Sequence, residues 1–230
     1  MQCKYSHKGL QILLLTGFQS YGGRTINPAE EIVKSLNGKI IRGQKITGKT
    51  LPVNYNELQN RMKSYIEEVE PQAVICLGLW PGEMMLRIER IAVNISDFEI
   101  PDNFQNFIKG PVDSDGPTGY ETTLPIEEIR NSLLEHQIPA RLSGTAGHFL
   151  CNALMYHALN ICSKKNPSPK CGFIHLPYAP EQVADVLKNI SKQKELELHQ
   201  RADLSSMSLE QMRAGIEVAI GTTLENLSDG

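Results

Sequence analysis

Short apolar runs alternate along the chain with longer segments of helical periodicity. Continuous apolar runs are typical of strands covered on both faces. Helical segments repeat apolar residues every three or four positions, as at Leu58, Met62 and Ile66. Strands are predicted at residues 11–16, 73–79, 87–95, 140–142 and 172–176. Helices are predicted at residues 55–69, 126–136, 148–163, 180–190 and 209–227, with another that starts at Asn27 and Pro28 and ends before Gly38.

This alternation predicts an α/β fold with a largely parallel sheet. No repeat or low-complexity tract divides the chain, so residues 1–230 are interpreted as one domain with a short polar extension over about residues 1–9. Residues 101–120 contain prolines, glycines and aspartates without a period, and we expect them to form a long surface loop that covers a functional site. The charged stretch 188–203 is expected to be a solvated helix or loop.

Composition and charge argue against a protein that binds nucleic acid, attaches to a membrane or is secreted. The chain is 40% hydrophobic and 21% charged with a formal net charge of −3, which is ordinary for a soluble globular protein. It carries no basic patch for nucleic acid and no basic cluster beside a hydrophobic helix for a membrane. The N-terminus lacks the apolar core of a signal peptide, and the five cysteines form no Cys-x-x-Cys pair. We therefore expect a cytoplasmic, soluble protein with reduced thiols.

Residues 43–50 satisfy the letter pattern of a phosphate-binding P-loop. That chemistry requires a helix immediately after the loop, because the helix N-terminus completes the anion site. Here Leu51, Pro52 and Val53 follow, and Pro52 biases the preceding residue away from helical geometry. The segment is therefore predicted to be a turn entering a strand, without nucleotide binding.

Cys151 is the candidate nucleophile among the cysteines. It follows the sequence Thr-Ala-Gly-His-Phe-Leu at residues 145–150, where small residues favour a tight turn into a helix. A thiol at a helix N-terminus is expected to have a lowered pKa and a larger thiolate fraction. The alternative is a small buried hydrophobe, as most free cysteines are. Cys76 and Cys171 lie in or beside apolar runs and are expected to be structural, whereas Cys162 falls in the last turn of a helix.

His175 and Glu89 are candidates for a base and for the group that orients it. His175 ends a buried apolar strand, where ligands bind in α/β folds, although it could equally be a core histidine with satisfied hydrogen bonds. Glu89 is a carboxylate inside a strand-like run, where a charge requires a partner. That partner is either Arg87 or Arg90 in an ion pair, or an imidazole. A cysteine hydrolase needs a nucleophile, a base and an orienting group together.

Seven stretches of the sequence, taken in order, closely resemble the pyroglutamyl peptidase I family, also called pyrrolidone-carboxylate peptidases. The resemblance extends from near Leu13 almost to the C-terminus. The matching stretches are Thr16-Gly17-Phe18 with Tyr21-Gly22-Gly23 and Ile26-Asn27-Pro28; Gly78 with Pro81-Gly82; Ile88-Glu89-Arg90-Ile91-Ala92-Val93-Asn94; Ile100-Pro101-Asp102-Asn103; Leu124-Pro125; Ala146-Gly147 with Leu150-Cys151-Asn152; and Gly172-Phe173-Ile174-His175 with Pro177-Tyr178.

The resemblance implies a triad with Cys151 as nucleophile, His175 as base and Glu89 as orienter. It also implies a three-layer α/β/α sandwich resembling phosphorylase/hydrolase-like folds, no metal or organic cofactor, and homodimers or homotetramers. The reaction it implies is hydrolysis of the amide bond after an N-terminal pyroglutamyl residue of small peptides, through a thioester. The recognition pocket would be formed by Phe18, Tyr21, Asn27, Ile100, Phe149 and Leu150.

Two residues depart from the family pattern. Glu83 stands where the family usually has Arg, which reverses a charge on a loop near the expected site. Tyr21 stands where Phe is usual and adds a hydroxyl that needs water or a partner. Asn27 is as well suited to capping a helix as to binding a ligand. Two other functions stay open: a non-catalytic protein that binds pyroglutamyl peptides and, from the implied fold alone, a nucleoside phosphorylase.

Overall fold

The structure, a computed structural model, describes residues 12–190 and 204–228. The expected extension at residues 1–9 and most of the charged stretch 188–203 lie outside the described residues. The strands are β1 (Ile12–Phe18), β2 (Ile40–Ile41), β3 (Gln44–Leu51), β4 (Ala73–Leu79), β5 (Leu86–Glu89), β6 (Ile91–Val93), β7 (Ser96–Asp97), β8 (Lys109–Gly110), β9 (Gly119–Glu121), β10 (Ala140–Ser143) and β11 (Lys170–Leu176). The helices are α1 (Pro28–Leu36), α2 (Tyr55–Val69), α3 (Ile126–Glu135), α4 (Leu150–Ser163), α5 (Pro180–Ile190) and α6 (Leu209–Ser228).

Seven strands form the main sheet in the order β10-β5-β11-β4-β1-β3-β2. The four strands from β11 to β3 run parallel to one another. Strand β5 is antiparallel to β11 and parallel to β10, and β2 is antiparallel to β3. The sheet is therefore mixed and mostly parallel, as the sequence predicts.

Helices cover both faces of this sheet because successive strand residues point to opposite sides. On one face, Leu13 and Leu15 of β1 pack in a core with α1, α3 and α6. On the other face, Leu14 packs in a second core with α2 and α4. Strand β4 divides in the same way, with Ile75 in the first core and Val74 in the second. The result is a three-layer α/β/α sandwich, and strands buried on both faces explain the continuous apolar runs.

The start of α1 shows how local sequence sets an element. Asn27 has extended backbone geometry, and its Oδ1 accepts a hydrogen bond from the Ala29 N–H at 3.0 Å. Pro28 occupies the first helical position, where its missing N–H costs nothing. Asn27 Nδ2 also donates to the Gln19 carbonyl at 3.0 Å, which fixes the loop after β1 against the helix. The predicted cap is therefore present.

Two predicted segments differ from the structure. The expected strand at residues 87–95 is divided at Arg90: β5 stays in the main sheet, whereas β6 pairs with β9 in a separate two-stranded sheet. The expected loop at 101–120 contains β8 and the start of β9.

Residues 44–51 form the parallel strand β3, so the rejection of a P-loop is confirmed. No helix in the described part of the chain is both long and apolar enough to cross a membrane.

Candidate active site

A stripe of polar side chains crosses three neighbouring strands on the face covered by α4. In β5, Leu86 and Ile88 belong to the core on the opposite face, so strand alternation directs Arg87 and Glu89 towards α4. Strand register places His175 of β11 opposite Arg87, and Ser143 of β10 opposite Glu89. The period of the strand therefore explains how charged residues occur inside an apolar run.

The His175 ring and the Glu89 carboxylate form a buried pair. His175 Nδ1 lies 2.8 Å from Glu89 Oε1, and the residues are 1% and 0% exposed. The ring also packs against Phe173 at 4.6 Å and edge-on against Trp80 at 4.9 Å between centroids. Because Nδ1 faces the carboxylate, Nε2 is the ring nitrogen left to act on a substrate or nucleophile.

Cys151 occupies the second residue of α4, beside the strand end that carries His175. A Cβ added at Gly78 of β4 would lie 2.8 Å from Cys151 Sγ and 2.7 Å from the Phe173 ring, so only glycine leaves room for the thiol there. Of the four described cysteines, Cys151 alone is partly exposed. The other three are fully buried, which agrees with the expected structural role of Cys76 and Cys171.

Asn152 holds the beginning of α4 in place. Its Nδ2 donates to the carbonyls of Val93 at 2.8 Å and Ile95 at 3.0 Å, and its Oδ1 accepts from the Val93 N–H at 2.9 Å. No side chain caps the first turn of α4. A helix start has backbone N–H groups without helical partners, and they are suited to binding an oxyanion.

The pKa of the Cys151 thiol differs from the prediction, and the pKa of the His175 imidazole is shifted as well. Burial raises the pKa of the Cys151 thiol, and the charge of Glu89 raises it further, so the expected lowering by the helix N-terminus is wrong. Burial also lowers the pKa of His175, against the opposing effect of the hydrogen bond to Glu89. Both effects favour neutral forms. The resting site therefore holds a protonated thiol and a neutral imidazole.

One cavity of about 380 Å³ contains both Cys151 and His175 in its lining. All six residues expected to recognise a substrate also line it, namely Phe18, Tyr21, Asn27, Ile100, Phe149 and Leu150. In its wall, the Phe149 ring lies 6.1 Å from the Tyr21 ring, and Phe98, which is outside the lining, supports the Phe149 ring at 4.5 Å. Arg24 packs over the Tyr21 ring at 4.7 Å. The cavity is thus a mostly apolar chamber with a thiol and an imidazole in its wall.

Comparison with known proteins identifies the family. A family model described as pyroglutamyl peptidase matches residues 11–226. The chain belongs to the pyroglutamyl peptidase family. Its relatives include a pyrrolidone-carboxylate peptidase of Bacillus cytotoxicus, 39% identical over 94% of each chain, and one of Bacillus cereus, 40% identical over 93% of each chain. Members of this family are cysteine hydrolases.

Solved structures of this family have the same fold. The pyrrolidone carboxyl peptidase of Thermococcus litoralis superposes with a TM-score of 0.86 at 36% identity, and 96% of each chain is covered. A mutant pyrrolidone carboxyl peptidase of Pyrococcus furiosus gives a TM-score of 0.86 at 38% identity over 95% of this chain and all of that one. The predicted fold class is therefore confirmed.

Sequence reasoning missed several residues of the pyroglutamyl peptidase cavity. Trp80 follows β4 directly and contacts the His175 ring, and its position just after a buried parallel strand was the available signal. His148 lies in the lining, although its sequence context gave no indication of this. Pro81, Ala146 and Gly147 stand in the matching stretches but were not assigned to the pocket, and the remaining lining residues, Val53, Leu79, Asp97 and Glu99, lie outside those stretches.

The structure gives Glu83 a different role from the expected one. Glu83 is 6% exposed and does not line the cavity; its Oε2 accepts a hydrogen bond from Arg141 at 2.5 Å and lies 3.8 Å from Arg87. Burial alone would raise its pKa, but the hydrogen bonds from Arg141 and from the Met84 N–H, together with the positive charges of Arg141 and Arg87, leave the pKa below its ordinary value. Its negative charge is therefore paired with arginines and is not presented to a substrate.

The long loop at 101–120 does not cover the cavity. None of its residues is in the lining, so the expected covering role is wrong in this structure. The loop instead packs beside the site: Asp102 accepts from the Tyr55 N–H at 2.8 Å, and Asn103 Nδ2 donates to the Ser20 carbonyl at 2.9 Å. These contacts brace the helix start of α2 and the loop after β1, which carries Tyr21.

Proposed function

We propose that this chain is a cysteine exopeptidase that hydrolyses the amide bond after an N-terminal pyroglutamyl residue of peptides. The observation that carries the proposal is one cavity whose wall holds the Cys151 thiol and the His175 imidazole, with Glu89 behind the imidazole at 2.8 Å. Acyl transfer requires a nucleophile, a base and a group that orients the base, and these three side chains can supply those roles. Family membership supports the same reaction.

The cavity suits a flat, neutral lactam. Phe18 is 3% exposed and offers a buried aromatic surface, and Tyr21 and Phe149 form the adjoining wall. Aromatic faces hold such a ring by stacking and by burial of apolar area. The lactam N–H and carbonyl need polar partners in the cavity, since unpaired polar groups there cost binding energy. Asn27 already uses Oδ1 and Nδ2 in hydrogen bonds, so we assign it mainly to capping and to holding the Gln19 loop.

The reaction begins from the neutral pair. As Cys151 Sγ attacks the pyroglutamyl carbonyl, its proton passes to His175 Nε2, and Glu89 stabilises the resulting imidazolium. Backbone N–H groups at the start of α4 bind the oxyanion. The intermediate collapses to a thioester while His175 returns the proton to the departing amine. Water then attacks the thioester with His175 as base, which releases pyroglutamate and restores the thiol.

The deciding experiment measures release of a fluorogenic amine from its pyroglutamyl conjugate. Wild type is compared with Cys151→Ser and with Cys162→Ser, the latter a matched change at a cysteine in the α4 core. We expect turnover in wild type and in Cys162→Ser, and its loss in Cys151→Ser. Folded wild type without turnover would remove the peptidase assignment. Saturable binding of pyroglutamyl peptides in that case would favour the non-catalytic binding protein.

We also propose that one peptidase domain spans residues 1–230, that it acts in the cytoplasm, and that copies associate as homodimers or homotetramers. Free buried cysteines support a reducing compartment. Exposed apolar side chains at Ile95, Phe104 and Phe107 support a contact between copies beside the cavity. Light scattering during size-exclusion chromatography gives the subunit number, and a monomer at micromolar concentration would exclude a stable oligomer.

A further inference from the structure

A single buried arginine contacts three parts of the site. Arg87 is 7% exposed, and its Nε donates to Glu89 Oε1 and to Ser143 Oγ, both at 2.8 Å. One of its terminal nitrogens donates to the Thr145 carbonyl at 2.6 Å. Its guanidinium also lies 3.8 Å from the centroid of the Trp80 ring. The single Nε–H of Arg87 is shared between Glu89 and Ser143, a terminal N–H reaches Thr145, and the face of the guanidinium stacks on the Trp80 ring.

Each partner of Arg87 leads to a reacting group. Glu89 Oε1, which receives the Arg87 bond, is the same oxygen that faces His175 Nδ1. Ser143 and Thr145 belong to the turn that closes β10 and leads, within six residues, to Cys151. Trp80 contacts the His175 ring from a second side. The guanidinium therefore acts on His175 in two ways, through Glu89 and through Trp80. It also contacts the segment that precedes Cys151.

We propose that Arg87 is a positioning residue for the reaction, whose guanidinium orients the Glu89 carboxylate towards His175 and fixes the Trp80 ring and the Ser143–Thr145 turn around the imidazole and the thiol. It does not itself touch the substrate, since it is absent from the cavity lining. The proposal rests on the proposed peptidase function for its kinetic readout. It adds to the triad a residue that explains how a carboxylate is held inside the sheet.

Arg87 is itself held in place by further charge. Glu83 Oε2 lies 3.8 Å from the guanidinium, and Arg141 bonds the same carboxylate oxygen. The charged groups that bear on His175 are thus Glu89 and Arg87 from β5 and Glu83 from the preceding loop. The positive charge of Arg87 lowers the pKa of His175. Arg87 also bonds the Glu89 carboxylate, so that this carboxylate is not available to the imidazolium only. Both effects keep the resting imidazole neutral.

The test compares Arg87→Gln, which removes charge and geometry, with Arg87→Lys, which keeps the charge alone. Arg213→Gln serves as the matched control, because Arg213 pairs with Glu217 on α6 away from the site. In Arg87→Gln we expect kcat to fall by about 10- to 100-fold with KM changed less than about threefold, as for a displaced catalytic group. The acid limb of kcat/KM should move to higher pH. In Arg87→Lys, kcat should fall similarly while the acid limb stays near that of wild type.

A second readout does not depend on turnover. The pH titration of the His175 imidazole is followed by NMR, with its signal assigned by its loss in His175→Gln. The midpoint should rise in Arg87→Gln and stay near wild type in Arg87→Lys and Arg213→Gln. The proposal is overturned if kcat and the His175 titration are both unchanged in folded Arg87→Gln. If Arg87→Gln does not fold, an unchanged kcat in Arg87→Lys overturns it. Wild type without turnover would remove the peptidase function, whereas the titration would still test whether Arg87 acts on His175.

Discussion

The two halves of the main sheet have the same alternation of side chains but bury different kinds of residue. In β1 and β4, successive residues such as Leu13, Leu14 and Leu15 enter apolar cores on both faces. In β5, Ile88 enters an apolar core while Arg87 and Glu89 point to the other face and meet polar partners. Burying a charge is costly unless it is paired, so the polar half is stable only as a network. The first half of the sheet is therefore packed mainly by apolar side chains, although Phe18 of β1 also lines the cavity, and the other half holds the polar groups proposed for chemistry.

The largest expected effect comes from breaking the polar half at its central carboxylate. In Glu89→Gln, His175 loses the charge that stabilises its protonated form, and kcat should fall about 10³- to 10⁴-fold, as when a triad carboxylate is replaced by its amide. Steady-state kinetics with a pyroglutamyl conjugate measures this. Glu127→Gln, a change at an exposed carboxylate paired with Arg90 and Arg130, should leave kcat unchanged. Near-normal turnover in Glu89→Gln would separate Glu89 from the chemistry.

The apolar half should show a loss of stability instead. Ile75 of β4 is fully buried in the core shared with α1, α3 and α6. Ile75→Ala removes buried methyl groups and leaves a cavity, so the free energy of unfolding should fall by about 2–5 kcal/mol. Urea unfolding followed by circular dichroism measures the change. The specific activity of the folded fraction should stay within about twofold of wild type, and a large drop in kcat would show that the two halves are coupled.

Gly78 lies where the two halves meet, since β4 borders β11 and its Gly78 faces Cys151. A Cβ there would lie 2.8 Å from Cys151 Sγ, closer than ordinary contacts allow, so the thiol or the Phe173 ring must move in Gly78→Ala. We expect kcat to fall about 100-fold, because small misplacements of a nucleophile are costly. Gly221→Ala is the control, since the nearest atom to its added Cβ is 3.8 Å away. Equal activity in both variants would contradict the tight packing around the thiol.

The smallest expected effect is the position of the acid limb in the wild-type pH profile. Burial lowers the pKa of His175 below its ordinary value of 6.5, although the hydrogen bond to Glu89 opposes the shift. The base must be neutral to accept the thiol proton, so kcat/KM should remain high as pH falls to 6.5 and decline only below it. An uncharged pyroglutamyl conjugate avoids titration of the substrate. A midpoint clearly above 6.5 would indicate that Glu89 dominates over burial.

The sequence predicted most elements because their signals are local. Continuous apolar runs indicated β1, β4 and β11, and Asn27 with Pro28 indicated the start of α1. The division at Arg90 was not predictable, since β6 leaves the main sheet only to pair with β9, about thirty residues later. Such pairing depends on tertiary packing, which a single sequence does not encode locally.

The candidate site also has features that local sequence signals predicted and features that depend on tertiary packing. The residues proposed for chemistry were indicated by motifs, and the structure brings His175 and Glu89 together and places Cys151 in the same cavity. The ion pair between Arg87 and Glu89 was one of the sequence alternatives, and the structure has it together with the imidazole contact. The contacts of Arg87 with Ser143 and Trp80 were not accessible, because they depend on strand register and tertiary packing. The pKa of Cys151 was predicted in the wrong direction, since the helix position was visible in the sequence and the depth of burial was not.

The neutral resting state of the Cys151–His175 pair has a consequence for oxidative damage. Hydrogen peroxide and simple alkylating agents consume thiolates, and burial keeps the Cys151 sulfur in its protonated form. A compound that only reacts with thiols should therefore react slowly with Cys151. A compound that places a carbonyl beside His175 should react faster, because the thiol proton then passes to His175 as the sulfur attacks. Oxidation of Cys151 between turnovers is therefore expected to be slower than oxidation of a thiolate, and an aldehyde that carries a lactam ring is expected to modify Cys151 more readily than a simple alkylating agent does.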